Sequence, residues 1–142
     1  MTRPLVALAA VVLALYAAAG QAQLATVSEM PLVAGDPERG RLVFAQCRTC
    51  HYTVPEQIHG NGPNLYRIFG MVAGKQPGFE YYSAAMASAE FVWTPQLMYA
   101  WLENPIAALP GTTMMSAGVP DPGQRADLIA YLQRLSVLGS GD

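Results

Sequence analysis

The chain has 142 residues, 52% hydrophobic and 13% charged, with eight Lys and Arg against ten Asp and Glu for a net charge of −2. That length suits one small domain, and the acidic balance argues against nucleic-acid binding. No stretch alternates with period two and no repeat recurs, so the expected fold class is all-α.

Residues 1–22 have the plan of a secretory signal peptide: Arg3 near the start, an apolar run from Leu5 to Ala19, and Gly20-Gln21-Ala22 at the cleavage position. Cleavage after Ala22 is preferred, and Ala17-Ala18-Ala19 offers a second site. The alternative is an uncleaved anchor, but Leu5 to Gly20 would span about 24 Å as a helix, short of the roughly 30 Å hydrocarbon core. Processing is expected to leave seven Lys and Arg against ten Asp and Glu, or −3, with no membrane span. Residues 23–35, with Pro31 and Gly35, read as a flexible lead.

Helix signals begin at Asp36-Pro37-Glu38, an N-cap followed by proline at the first helical position and an acidic first turn. This helix carries Gly40 and Phe44 and leads into Cys47-Arg48-Thr49-Cys50-His51, a Cys-x-x-Cys-His string in a chain with no other cysteine. Two thiols three positions apart match the two vinyl groups of one porphyrin, and the adjoining imidazole then lies under the iron. A redox Cys-x-x-Cys would need a strand-to-helix junction, zinc would need four ligands, and a disulfide over two intervening residues would be strained. Covalent haem c, with its iron, is the expected cofactor. A buried porphyrin would supply apolar surface that so short a chain lacks, so folding and attachment are expected to be coupled.

Further along, short helical turns are expected near Asn64–Phe69 and Ser83–Ala87, and a longer helix runs from Thr94-Pro95 to just before Pro105, burying Leu97, Trp101 and Leu102. The last helix opens at Asp121-Pro122 and sets Leu128, Tyr131, Leu132 and Leu135 on one stripe, which is core packing. Gly40 would let the first and last helices cross closely. Residues 139–142 form a tail after a domain spanning 36–138.

A second axial ligand is sought among the seven methionines, since a thioether favours ferrous iron. Met1 belongs to the leader, Met98 to a helical apolar pattern, and Met30, Met71 and Met86 lack distinctive surroundings. Met114 ends Pro110-Gly111-Thr112-Thr113-Met114, a loop whose proline and glycine set a turn.

With these motifs the chain resembles the class I single-haem cytochromes c of mitochondrial and bacterial type. The match takes in Gly40, Phe44, Cys47 to His51, Gly62-Pro63-Asn64-Leu65, Gly78-Phe79-Glu80-Tyr81, Trp93, Leu102-Glu103-Asn104-Pro105, Pro110 to Met114 and Arg125 to Leu132. The resemblance implies the cytochrome c fold, a small helical domain wrapped around one covalently attached haem. It further implies thioether bonds at Cys47 and Cys50, and His51 and Met114 as axial pair rather than Met115. Pro63 would receive the ring N–H of His51, while Tyr81, Trp93 and Thr112 would hydrogen-bond the propionates. His59 would tie two loops through a backbone hydrogen bond rather than bind metal. Two positions depart from the family: Met71 replaces an arginine beside a propionate, and Trp101 replaces an inner tyrosine. These act on the potential with opposite sign, because a missing cation favours ferric iron and a drier pocket disfavours it.

The expected function is that of a periplasmic one-electron carrier, not an enzyme. Its donor would be a respiratory, photosynthetic or dehydrogenase system such as a cytochrome bc1-type complex, and its acceptor a terminal oxidase or reductase. The rival readings are a fixed haem subunit of a dehydrogenase or oxidase complex, and a haem peroxidase or gas-binding protein with an open distal position. Lys75 is the sole lysine, so the lysine ring that steers mitochondrial relatives to acidic partners is absent, and partner association should depend little on salt.

Overall fold

The computed structural model describes residues 32–55 and 59–138, so the expected signal peptide, most of the lead and the tail lie outside the described residues. Among the described residues five α-helices follow one another: α1 (Pro37–Val43), α2 (Ala84–Ala87), α3 (Pro95–Glu103), α4 (Pro105–Ala108) and α5 (Pro122–Leu138). A 3-10 turn at Phe44–Gln46 continues α1 toward the cysteine string. Among the described residues there is no strand, only two isolated antiparallel bridges, His59 with Pro63 and Val72 with Val92. No helix among them is long and apolar enough to cross a membrane.

Each helix start has a side-chain oxygen satisfying an orphan N–H of the first turn. Asp36 accepts from Glu38 N at 2.7 Å, Ser83 from Met86 N at 3.2 Å, Thr94 from Leu97 N at 3.1 Å and Asp121 from Gln124 N at 2.7 Å. Helix α4 was not expected, because Pro105 reads as a stop for the helix before it. Asn104 does both jobs: it ends α3 in extended conformation, and its carboxamide then accepts from Ala107 N at 3.1 Å to open α4. The helical turn expected over Asn64–Phe69 does not form. The Asn64 side chain takes the Tyr66 N–H at 2.8 Å, an Asx turn, and Arg67 adopts a left-handed φ of 55°, which no α-helix accommodates.

The first and last helices cross at Gly40. A β-carbon there would lie 1.9 Å from the Asp127 carbonyl oxygen and 2.8 Å from Tyr131 Cβ, so only glycine allows this approach. Arg39 clamps the crossing from outside, donating to Asp127 from Nε at 2.7 Å and Nη2 at 2.8 Å, and from Nη1 to Asp36 at 3.1 Å. Phe44 meets the Tyr131 ring at 5.4 Å on the inner side. Leu128, Ile129 and Leu132 are fully buried on α5, each contributing about 1.5–3 kcal/mol by burial. Tyr131 is buried beside them, and Leu135 packs against the same core.

At the end of the expected lead, residues 32–35 lie against α5: Leu32 packs against the core, and a β-carbon on Gly35 would lie 2.1 Å from the Ala126 carbonyl oxygen. A shallow cleft of about 330 Å³ lies between them and α5, lined by Ala126, Ile129 and Ala130, and none of the candidate haem residues borders it. In the middle of the chain, residues 70–73 run beside 91–93, with Trp93 N donating to Met71 O at 2.8 Å and Ala73 N to Phe91 O at 2.9 Å. This pairing sets Trp93 in the core.

Candidate haem site

The cysteine string is an extension of the 3-10 turn after α1. Cys47 N donates to Phe44 O at 2.8 Å, and Cys50 N and His51 N both donate to Cys47 O, at 3.1 and 3.0 Å. One turn of backbone therefore presents two half-buried free thiols and the imidazole together. Burial, and secondarily the neighbouring Cys50, push the Cys47 thiol up to about 11, so it is held as a neutral thiol.

His51 is oriented from two sides. Its Nδ1 lies 2.6 Å from Pro63 O, and because a carbonyl can only accept, Nδ1 carries the proton and Nε2 keeps its lone pair. The ring rests on the backbone of Gly62, where a β-carbon would fall 2.5 Å from Cε1. Burial pulls the imidazole below its ordinary pKa, with the Pro63 hydrogen bond opposing more weakly. A neutral ring with a free Nε2 is the form that binds iron.

Behind the ring, Thr53 Oγ1 meets Tyr131 OH at 3.3 Å, joining the string to α5. His59 ties the next two loops: its Nδ1 accepts from Asn64 N at 3.1 Å, so its Nε2–H donates to Pro77 O at 2.9 Å. Both ring nitrogens are thereby used in holding the loops.

Further along the chain, Gly111 takes a φ of 89° and turns the loop ahead of Met114. Thr112 Oγ1 accepts from Met114 N at 3.3 Å, and Met114 O accepts from Ser116 N at 3.0 Å. Met114 is half-buried against the core, as is Cys47, whereas Met115 is 95% exposed. The backbone thus separates the two adjacent sulfurs, one inward and one in solvent.

Of the expected propionate partners, Trp93 is buried and meets Trp101 edge-on at 5.7 Å, and Thr112 is half-buried in the methionine loop. Tyr81 is 81% exposed, with its ring against Phe79 at 5.9 Å. The tyrosine turned inward is Tyr82, whose OH accepts from Gln76 N at 3.4 Å and whose pKa is raised by burial. The roles of two further residues, both within the matched segments, are visible only in the structure. Gly62 makes room for His51, and buried Arg125 donates to Val119 O and Pro120 O at 2.8 Å while its guanidinium sits 4.5 Å above the Tyr99 ring. Arg125 thereby anchors the end of the methionine loop to α5. No sequence spacing signals that role.

The donor set, two thiols and a neutral imidazole from one turn and a half-buried thioether from a set loop, together with the bare backbone at Gly62, fits a covalently attached haem.

The chain is 43% identical to cytochrome c2 of Rhodomicrobium vannielii over 99 residues, 70% of this chain and 78% of that protein. It is 41% identical to cytochrome c of Chlamydomonas reinhardtii over 112 residues, 78% of this chain and 97% of that one. Against cytochrome c2 of Rhodopila globiformis it is 40% identical over 102 residues, 71% and 94% of the two chains. No family model matches. At this identity, over most of both chains, and with the Cys47–His51 string in its sequence, the chain belongs to the class I single-haem cytochromes c, helical electron carriers that bind one covalent haem c.

Proposed function

We propose that this chain is a periplasmic electron carrier in which Cys47 and Cys50 hold the haem through thioether bonds and His51 and Met114 ligate its iron. Haem c, when bound, supplies exchange of one electron between ferrous and ferric iron. The observation that carries the ligand assignment is the His51 Nδ1 to Pro63 hydrogen bond, which leaves Nε2 as the only lone pair on the ring. Pro63 fixes the tautomer, Gly62 fixes the ring plane, and the 3-10 turn delivers both thiols beside it.

Met114, anchored through Thr112, would supply the second protein ligand to the iron, and a carrier so ligated needs no nucleophile, general base or substrate cavity. Trp93 and Thr112 are proposed to hold the propionates, with the exposed Tyr81 closing over them. The edge-on pair of Trp93 and Trp101 excludes water from the interior, which disfavours the ferric charge.

Export is supported by the leader pattern in residues 1–22, and by c-haem attachment, which in bacteria takes place outside the cytoplasmic membrane. The donor is proposed to be a quinol-oxidising complex or a dehydrogenase, and the acceptor a terminal oxidase or reductase. Size-exclusion chromatography of a native periplasmic extract, followed at the haem band, tests the reading. The haem-bearing chain should elute as a small free protein. Elution with a large complex, or recovery in the membrane fraction, would assign it to a fixed subunit instead.

A further inference from the structure

Between Tyr81 and Pro120 the chain carries only two charged side chains, Glu90 and Glu103. Two exposed segments within this span, 81–89 and 104–120, carry none. The fold joins them: a β-carbon on Gly111 would lie 3.4 Å from Ala85 Cβ, so the methionine loop sits on α2. Beside that junction Ile106 and Met115 are 55% and 95% exposed, large apolar groups with nothing covering them among the described residues. Met115 directly follows the methionine that the carrier reading places on the iron. The charged residues that bound these segments, Glu80, Glu90, Glu103 and Asp121, are all carboxylates and all exposed.

The cations are elsewhere and mostly engaged. Arg39 is held by Asp127 and Asp36, Arg41 and Arg134 by Glu38, Arg125 is buried beside Glu103, and Lys75 Nζ donates to the Ala87 carbonyl. Among the described residues Arg48 and Arg67 are the cations with no such partner, and both lie outside the uncharged span.

We propose that the uncharged surface carrying Ile106 and Met115 is where the redox partner docks, and that the partner presents an uncharged apolar centre ringed by cationic side chains. This rests on the carrier reading above. A charge on the partner's centre would be desolvated against this face with no counter-charge to meet it. Cations at its edge would instead meet the bounding carboxylates, and Glu80 and Glu90 form no ion pair of their own among the described residues. The polarity is thus the reverse of a lysine-ringed carrier, and in place of the weak salt dependence expected from the sequence, rising salt should slow association.

The test uses reduced holoprotein oxidised by membrane vesicles from the organism that makes this chain, followed at the haem band, with ferricyanide as a small oxidant that needs no docking. Ile106→Lys and Met115→Lys should each slow vesicle oxidation about tenfold, the effect of roughly 1.4 kcal/mol, without slowing ferricyanide. Leu42→Lys, on exposed α1, should stay close to wild type, and Glu80→Gln with Glu90→Gln should slow vesicle oxidation at low salt. Wild-type rates in both face variants, or equal slowing by Leu42→Lys, would overturn the docking face. An unchanged or faster double glutamine variant would overturn the cationic ring. Vesicles that cannot oxidise wild type, while ferricyanide can, would refute the carrier reading itself and the docking face with it.

Discussion

The imidazole of His51 lies against the bare backbone of Gly62, so closely that a single added methyl would fall 2.5 Å from its Cε1. Glycine at this position thus sets where the imidazole points, although it donates and accepts nothing through a side chain. Gly62→Ala should push the ring off its bond to Pro63. Loss of an outer-shell partner costs about 10–100-fold in metal affinity. The expected readout is a matching fall in the fraction of purified chain with a six-coordinate low-spin spectrum, at unchanged covalent haem content.

Covalent attachment is checked by acid-acetone extraction. Colour should stay with the polypeptide, and after substitution of both Cys47 and Cys50 by alanine it should move to the organic phase.

The sulfur assignment turns on adjacent residues in opposite environments, Met114 against the core and Met115 in solvent. Met114→Ala should abolish the weak far-red sulfur-to-iron band of the ferric protein, lower the potential and open the iron to carbon monoxide. Met115→Ala should leave the band in place. The reverse pattern would move the ligand by one residue.

Acid stability should report the helix crossing. The Asp127 carboxyl is held below its usual range first by hydrogen bonds from Arg39, then by the Asp36 N–H. A carboxylate whose folded pKa is depressed adds stability at all pH values above its unfolded value, near ~3.9, and loses it as pH falls through the lower folded value. Asp127→Asn should therefore be less stable than wild type in denaturant titrations at neutral pH, and the two should converge in strong acid. A gap that persists in acid would mean that packing, not the ion pair, carries the effect.

At the same crossing, Gly40→Ala would place a methyl 1.9 Å from the Asp127 carbonyl oxygen. Overpacking of this kind costs about 1–3 kcal/mol or more, and a fall in the denaturation midpoint of the holoprotein measures it.

Helix starts were the most legible part of the fold. Asp36-Pro37, Thr94-Pro95 and Asp121-Pro122 each pair a capping oxygen with a proline already in helical φ, a local signal that tertiary contacts did not alter. Asn104-Pro105 has the same form, but a proline directly after a helical run also reads as that run's stop, which hides α4. The site divided in the same way. The cysteine string and the methionine loop are contiguous and could be read, whereas Gly62 against His51 and Arg125 on the Val119 carbonyl depend on how distant backbone segments meet. Tyr81 and Tyr82 show the limit at single-residue scale, since neighbouring rings of one type point opposite ways.

The clamp between Arg39 and Asp127 joins residues 88 positions apart. Closing so long a loop is slow, but its entropy cost grows only with the logarithm of length, about 0.6 kcal/mol for each doubling. The ends of the domain hold each other, and the stretch between them can gain or lose residues cheaply. Insertions in the exposed loops between α1 and α5 should therefore be tolerated where they spare the cysteine turn and the methionine loop, which leaves lineages free to reshape those loops without redesigning the closure of the domain.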